Sequence, residues 1–318
     1  MSSAIADIRR IPDPQEPVPA VARPTLGLLA GGLLLFAGSS ALAVTGVLPW
    51  PVSALLNAVA AFALFTVSHE ASHHSAASGD RINTWMGRIA TPLFAPHAGF
   101  AAWRFVHMQH HRFTNESDGR DPDDYTNRGP RWLAPLRWLT VDLWYVVFYV
   151  PRLRSRPRAE KIETAIQLAL IAAGSVALIA TGNGFWLLVL FFLPIRISIL
   201  ALGWAFDYLP HHGLHETAAE NRFGTTRNRI GAERLLSPLM LYQNYHLVHH
   251  LHPVIPFYRY VAVWRRSEDA YLANDPPLST VAGRPLTTDE YRRLRELADH
   301  HEPRVASPVG APGAPDHH

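Results

Sequence analysis

Apolar positions in this chain gather into long runs, separated by polar stretches that hold most of the arginines. Pro24 to about Val47 is the first run, close to the roughly 20 residues that a spanning helix needs. Ala41-Leu42-Ala43 resembles a signal-peptidase site, but the run continues past it and reads as a span. Leu48-Pro49-Trp50-Pro51 breaks the pattern. A second run from Val52 to Ser68 passes without a breaker into His69-Glu70-Ala71-Ser72-His73-His74, so a spanning helix is predicted to carry these histidines beyond the bilayer. The third run covers about Ile162 to Ala180, and Thr181-Gly182-Asn183-Gly184 turns the chain into a fourth, Phe185 to Phe206. Arg196 lies inside that fourth run, where a charge is costly unless it snorkels or meets an interior partner.

Between the second and third runs, residues 79–161 are rich in arginine and proline. Trp85 to Phe105 reads as interfacial, Asp118 to Pro130 as an acidic loop, and Trp132 to Val150 as interfacial or partly inserted. After Asp207 the chain is polar apart from Leu235 to Leu251. The pattern predicts an all-α integral membrane protein with four transmembrane helices and a helical cap. Residues 1–23 read as a disordered leader, 24–298 as one membrane domain and 299–318 as a disordered tail.

Charge orients this arrangement. The turns around Pro49 and Gly182 carry no Lys or Arg, whereas the leader, the 79–161 segment and the C-terminal third carry nearly all of them. By the positive-inside rule these three are cytoplasmic, and so are both termini and the cap of a multi-pass cell-membrane protein. The basic balance, with pI near 9.3, therefore needs no nucleic acid to explain it. Lys161 is the only lysine, and there is no cysteine. The lack of Cys excludes disulfides, thiolate-ligated haem and cysteine-held iron–sulfur clusters, leaving His, Asp and Glu to hold any metal.

Histidine is where the chemistry gathers. With 18 His in the chain, random placement gives an H-x-x-H-H box roughly 0.06 times. Two such boxes are present, His107/His110/His111 and His246/His249/His250, and His69 and His73 form a shorter cluster. Residues at i, i+3 and i+4 share one side of a helix, so each box is expected to aim its imidazoles at one point. Eight such side chains exceed one tetrahedral zinc and suit two metals of higher coordination number with open positions for O2. His211 and His212 follow the end of the fourth run, where one imidazole can return to the metals. Glu70, Asp121, Asp123 and Asp207 are candidate partners that orient ligating imidazoles. Asn244 would either hold a metal-bound water or cap the helix bearing the last box. His97, His215, His252, His300 and His301 read as ordinary core or surface residues, and His317 and His318 belong to the tail.

These words resemble the membrane fatty acid desaturase/hydroxylase superfamily over about residues 60–265. Within it, His69-Glu70-Ala71-Ser72-His73, Val106-His107-Met108-Gln109-His110-His111, Phe206-Asp207-Tyr208-Leu209-Pro210-His211 and Gln243-Asn244-Tyr245-His246-Leu247-Val248-His249-His250 are similar to the β-carotene hydroxylase branch. That branch has a His at the place of His211, which the resemblance nominates over His212 as a ninth ligand. It usually has Asp where this chain has Glu70. The resemblance implies two ferrous ions, O2 as co-substrate, and hydroxylation of the β-ionone ring of a carotenoid. The alternative is desaturation of a membrane-lipid acyl chain. A metal transporter, by contrast, requires polar spans, and these are nearly free of ionisable groups. No flavin, dinucleotide or haem module is evident, so electrons are expected from a separate donor, a ferredoxin docking on the arginine-rich face.

Overall fold

The computed structural model describes residues 10–301, and the fold is mostly helical. Helix α1 (Arg23–Val44) and helix α2 (Trp50–Ser72) form an antiparallel pair. Pro49 and Pro51 start the second helix, where a missing N–H costs nothing. Short α3 (Asp80–Ala90) and α4 (Phe100–Phe113) follow, then α5 (Ala134–Tyr149), α6 (Arg158–Ala180) and a long α7 (Gly184–His211). The stretch expected as one interfacial segment, Trp85 to Phe105, is divided between α3 and α4 by the Thr91–Leu93 turn and the loop after it. The C-terminal third holds α8 (Glu233–Leu239), α9 (His246–Leu251), α10 (Tyr260–Arg266), α11 (Glu268–Leu272) and α12 (Thr288–His301). It also contains a small sheet that the hydrophobic pattern did not announce. Strand β1 (Asn228–Ile230) pairs parallel with β2 (Leu278–Thr280), which pairs antiparallel with β3 (Pro285–Leu286).

Among the described residues, five helical segments are long and apolar enough to cross a membrane: α1, α2, α6, α7 and Arg131–Ser155, which contains α5. Isoleucine and leucine side chains along α6, such as Ile166 and Leu170, lie exposed, as lipid permits and water does not. The ends of these helices sort into two levels. The Ala22 N–H bonds to the Ala76 carbonyl at 2.8 Å, which sets the start of α1 beside the end of α2. Trp50 and Phe185 meet edge to face at 5.9 Å, which puts both short turns at the opposite end. Within the bundle, Asn57 on α2 donates to Leu190 O at 2.8 Å and to Ser40 Oγ at 2.9 Å, tying three helices by polar contacts. Arg196 on α7 donates to Asp142 on α5 and to Leu139 O, so its charge meets an interior partner.

Two turns of α7 are π-helical, Leu188–Phe192 and Gly203–Tyr208. Such bulges rotate the helix that follows. Here the second bulge precedes His211 and contains Asp207. It sits where α5 comes closest, since a Cβ on Gly203 would lie 2.8 Å from the Trp138 carbonyl oxygen. Residues 10–22 run along the cap, with Ile11 against its core and Glu16 paired to Arg266 at 2.7 Å. Helix α12 continues to His301, and the remainder of the tail lies outside the described residues.

Candidate metal centre

The nine histidines of the boxes and the end of α7 meet at one level of the bundle. They form two groups: His69, His73, His107, His111 and His249 in one, and His110, His211, His246 and His250 in the other. Within each group the ring nitrogens lie within 4.8 Å of one another. His212 joins neither and stacks on Tyr208 instead.

The division corrects the expectation that each box converges on one point. At about 100° per residue, positions i and i+4 differ by about 40° around a helix, whereas i+3 lies about 100° from i+4. His69 with His73, His107 with His111, and His246 with His250 are the i, i+4 pairs, and each pair stays together. His110 and His249 are the i+3 members, and each crosses to the other group. The H-x-x-H-H spacing thus makes one helix contribute to both groups.

The donor set fits metal ions. Nε2 of His249 lies 3.0 Å from Nε2 of both His69 and His111, and His73 and His107 approach at 2.8 Å. Nδ1 of His249 meets the Tyr260 hydroxyl at 2.9 Å. Neutral imidazole carries a single N–H, so protons cannot satisfy five converging nitrogens. A separation near 3 Å is the edge expected between ligands about 2.1 Å from a shared first-row ion. Burial first, and then neighbouring imidazoles, push His107, His111, His246, His249 and His250 well below the ordinary histidine range. They are therefore neutral, which is the ligating form.

His110 differs. Burial works to lower its pKa, but the charges of Asp123 and Asp121 outweigh that and raise it to about 9. Its Nδ1 donates to Asp121 Oδ1 at 2.9 Å, leaving Nε2 toward its group, where the same acidic cage favours a cation. Asp123 Oδ2 lies 3.5 Å from Nδ1, and its other oxygen accepts from the Tyr145 hydroxyl at 2.6 Å. Asp207 lines the narrow space between the groups with Asp123 and Gln243. Asp121→Asn is expected to weaken metal at the four-His group roughly 10–100-fold, read by metal titration of the purified chain.

Glu70 and Asn244 make further contacts that the sequence did not indicate. Glu70 makes no hydrogen bond to a ligand-group histidine. Its Oε2 accepts the Phe257 N–H at 3.1 Å, and its Oε1 is 3.8 Å from His69 Nδ1. The longer acid reaches past its neighbour to the cap. Asn244 does not cap α9, whose first flanking residue is Tyr245; its amide donates to the Arg229 carbonyl at 3.2 Å on β1. Sequence reasoning missed Gln243, which accepts from His246 Nδ1 at 2.7 Å, and Tyr260. Gln243 sits three residues before His246, a spacing that offered a signal; Tyr260 offered none. Of the histidines read as ordinary, His252 meets the Tyr271 hydroxyl at 2.7 Å, His97 lies 3.8 Å from Asp142, and His215 is exposed.

Two cavities approach the groups. An apolar one of about 280 Å³ lies between α4, α5 and α6, walled by Ala102, Val106, Val150, Ala165 and Leu168. Trp103 and Tyr145 line it and also the smaller spaces that continue inward to His69, His107 and His246. A polar cavity of about 400 Å³ reaches His110 and His211 and is lined by Asp121, Asp123, Arg131 and His212.

Comparison with known proteins agrees with this arrangement. Residues 45–282 match the family model described as fatty acid desaturase. A β-carotene ketolase of Paracoccus sp. (strain N81106 / MBIC 01143) is 31% identical over 203 residues, 62% of this chain and 71% of the relative. A dihydrorhizobitoxine desaturase of Bradyrhizobium elkanii is 29% identical over 66% of this chain and 65% of its own length, just under two thirds. An sn-1 oleoyl-lipid 12-desaturase of Synechocystis sp. (strain ATCC 27184 / PCC 6803 / Kazusa) is 26% identical over 71% of this chain and 72% of the relative.

Proposed function

The chain is a membrane oxidoreductase of the fatty acid desaturase family, and from that premise we propose that it is a di-iron, O2-dependent oxygenase that hydroxylates the β-ionone ring of a carotenoid. The observation that carries the reading is the pair of histidine groups at the inner end of an apolar cavity. One iron would be held by His69, His73, His107, His111 and His249, the other by His110, His211, His246 and His250. The pair, when bound, supplies the reduction of O2 with two external electrons, coupled to oxidation of a C–H bond. Hydroxylation then yields one alcohol and one water.

The protein's own residues bind, orient and keep water out. Trp103 stacks on His107 at 5.3 Å, and Phe65 on His69 at 6.0 Å, forming an apolar floor against the imidazoles. Tyr145 fixes Asp123 while presenting its ring to the cavity. Burial, and then the charge of Glu70, push the Tyr260 phenol well above its usual pKa, so it stays a neutral partner for His249. A hydrocarbon would enter from the bilayer between α5 and α6, and water and protons would reach the other side through the polar cavity.

Four spans, α1, α2, α6 and α7, suit this arrangement better than five. Tyr145, well inside α5, reaches the level of the histidines at the ends of α2 and α7. A spanning α5 would put it at mid-bilayer, so α5 is interfacial and partly inserted, deep enough for Asp142 to meet Arg196 of α7. The arginine-rich end, with the histidines, then faces the cytoplasm, where a ferredoxin would deliver electrons.

A specific observation favours a second reading, acyl-chain desaturation. Lys161 lines the mouth of the apolar cavity and pairs with no carboxylate among the described residues, a position suited to an anionic lipid head. Expression in a cell that makes β-carotene separates the two. Hydroxylated xanthophylls are expected, and Lys161→Leu should leave their yield unchanged. Untouched carotenoids with new double bonds in the acyl chains would overturn the carotenoid reading.

A further inference from the structure

Arg229 is buried to 8% exposure and Arg227 is half-buried, and neither pairs with a carboxylate among the described residues. Burying a cation without an anion is costly, so something at this place compensates it. The partners are backbone carbonyls at the C-terminal end of α7, the negative end of its dipole. Arg229 Nη2 donates to Leu209 O at 3.1 Å, and Arg227 Nη2 to His212 O at 2.7 Å. The Arg227 N–H takes Pro210 O at 3.1 Å. Tyr208 O and His211 O are met by the N–H groups of His212 and Leu214. The last four carbonyls of the helix are thus all satisfied, Leu209 O by the Arg229 side chain and Pro210 O by the Arg227 main chain, while the Arg227 side chain holds His212 O just beyond the helix.

His211 sits in the middle of this clamp, and its ring is supported differently from its group-mates. His110 and His246 each have Nδ1 held by a side chain, Asp121 and Gln243. Both ring nitrogens of His211 are buried without a side-chain partner, and the polar group that faces the ring is the Thr225 backbone, two residues before Arg227. Its direction is therefore set by main chain, its own and that of the segment leading into Arg227. The clamp also reaches the last box: Arg229 N–H donates to Asn244 O at 2.7 Å, and the Leu247 N–H donates to Asn228 Oδ1 at 3.0 Å. One short segment, residues 227–229, so joins the end of α7 to the helix bearing His246 and His250.

We propose that Arg227 and Arg229 are positioning residues for His211, which complete the four-His metal position without touching it. The inference rests on the two-metal reading, and the test keeps the two apart. Purified full-length chain, stripped of metal, is titrated with Co(II) and followed by its visible absorption. Wild type is expected to take two equivalents. Arg229→Gln and Arg227→Gln should bind the first as wild type does and the second roughly 10–100-fold more weakly. His211→Ala should look the same, and Arg229→Gln combined with it should add nothing. Arg229→Lys, which keeps the charge and one donor, should recover part of the loss. Should the Gln variants fail to fold, the Lys variants carry the same comparison, with only the second equivalent weakened. A second equivalent bound normally, both equivalents weakened alike, or additive loss in the double variant would overturn the clamp. A wild type that takes a single equivalent would overturn the two-metal reading itself.

Discussion

His107→Ala is expected to abolish product formation and to lower the iron bound by the five-His group, while His301→Ala leaves both unchanged. His107 belongs to that group, with Nε2 2.8 Å from His73 and its ring stacked on Trp103. Alanine removes one nitrogen of a set that protons cannot satisfy, and it opens a gap beside the apolar floor. The loss should exceed the roughly 10–100-fold that follows removal of an outer partner, because a direct ligand is gone. His301, by contrast, is the last residue of α12 and reads from the sequence as an ordinary histidine. Iron per chain by plasma emission, with product chromatography, decides it, and equal effects of the two changes would undo the assignment.

The four apolar runs were legible as the long helices α1, α2, α6 and α7, because a segment in a bilayer must be apolar along its length and helical throughout. The Arg131–Ser155 segment was ambiguous for a physical reason. It is long and apolar enough to span, but Arg137 and Asp142 interrupt it, and the contacts that hold it, Tyr145 with Asp123 and Asp142 with Arg196, are made only in the fold. The nine histidines were likewise readable, because i, i+4 spacing and local words are properties of neighbouring residues. Their sorting was not read, although helix geometry contains it, since the angle between i+3 and i+4 decides which centre each ring faces. The supporting shell was hidden more deeply. Tyr260, Arg227 and Arg229 reach the site only through the folding of the cap, and no spacing links them to His249 or His211. Glu70 shows the converse, an acid adjacent in sequence whose hydrogen bond goes to Phe257 instead.

Ala165→Trp is expected to stop turnover of a bilayer-borne substrate while leaving both metals in place. Ala165 lies on the exposed face of α6, walls the apolar cavity, and packs in no described core cluster. A lipid-facing Trp on a span should therefore not unfold the chain, whereas its ring would fill much of a space of about 280 Å³. Catalysis needs the reacting carbon held beside the metals, and even small misplacement costs roughly 100-fold. The metal groups lie past Trp103 and Tyr145, away from α6, so iron content and the spectrum of the bound pair should match wild type. That combination, intact metal with turnover down about 100-fold or more, separates a blocked entrance from a damaged centre. Normal turnover of carotenoid and of acyl lipid alike would mean that substrate reaches the histidines by another route, and the polar cavity beside His110 and His211 is then the one to test.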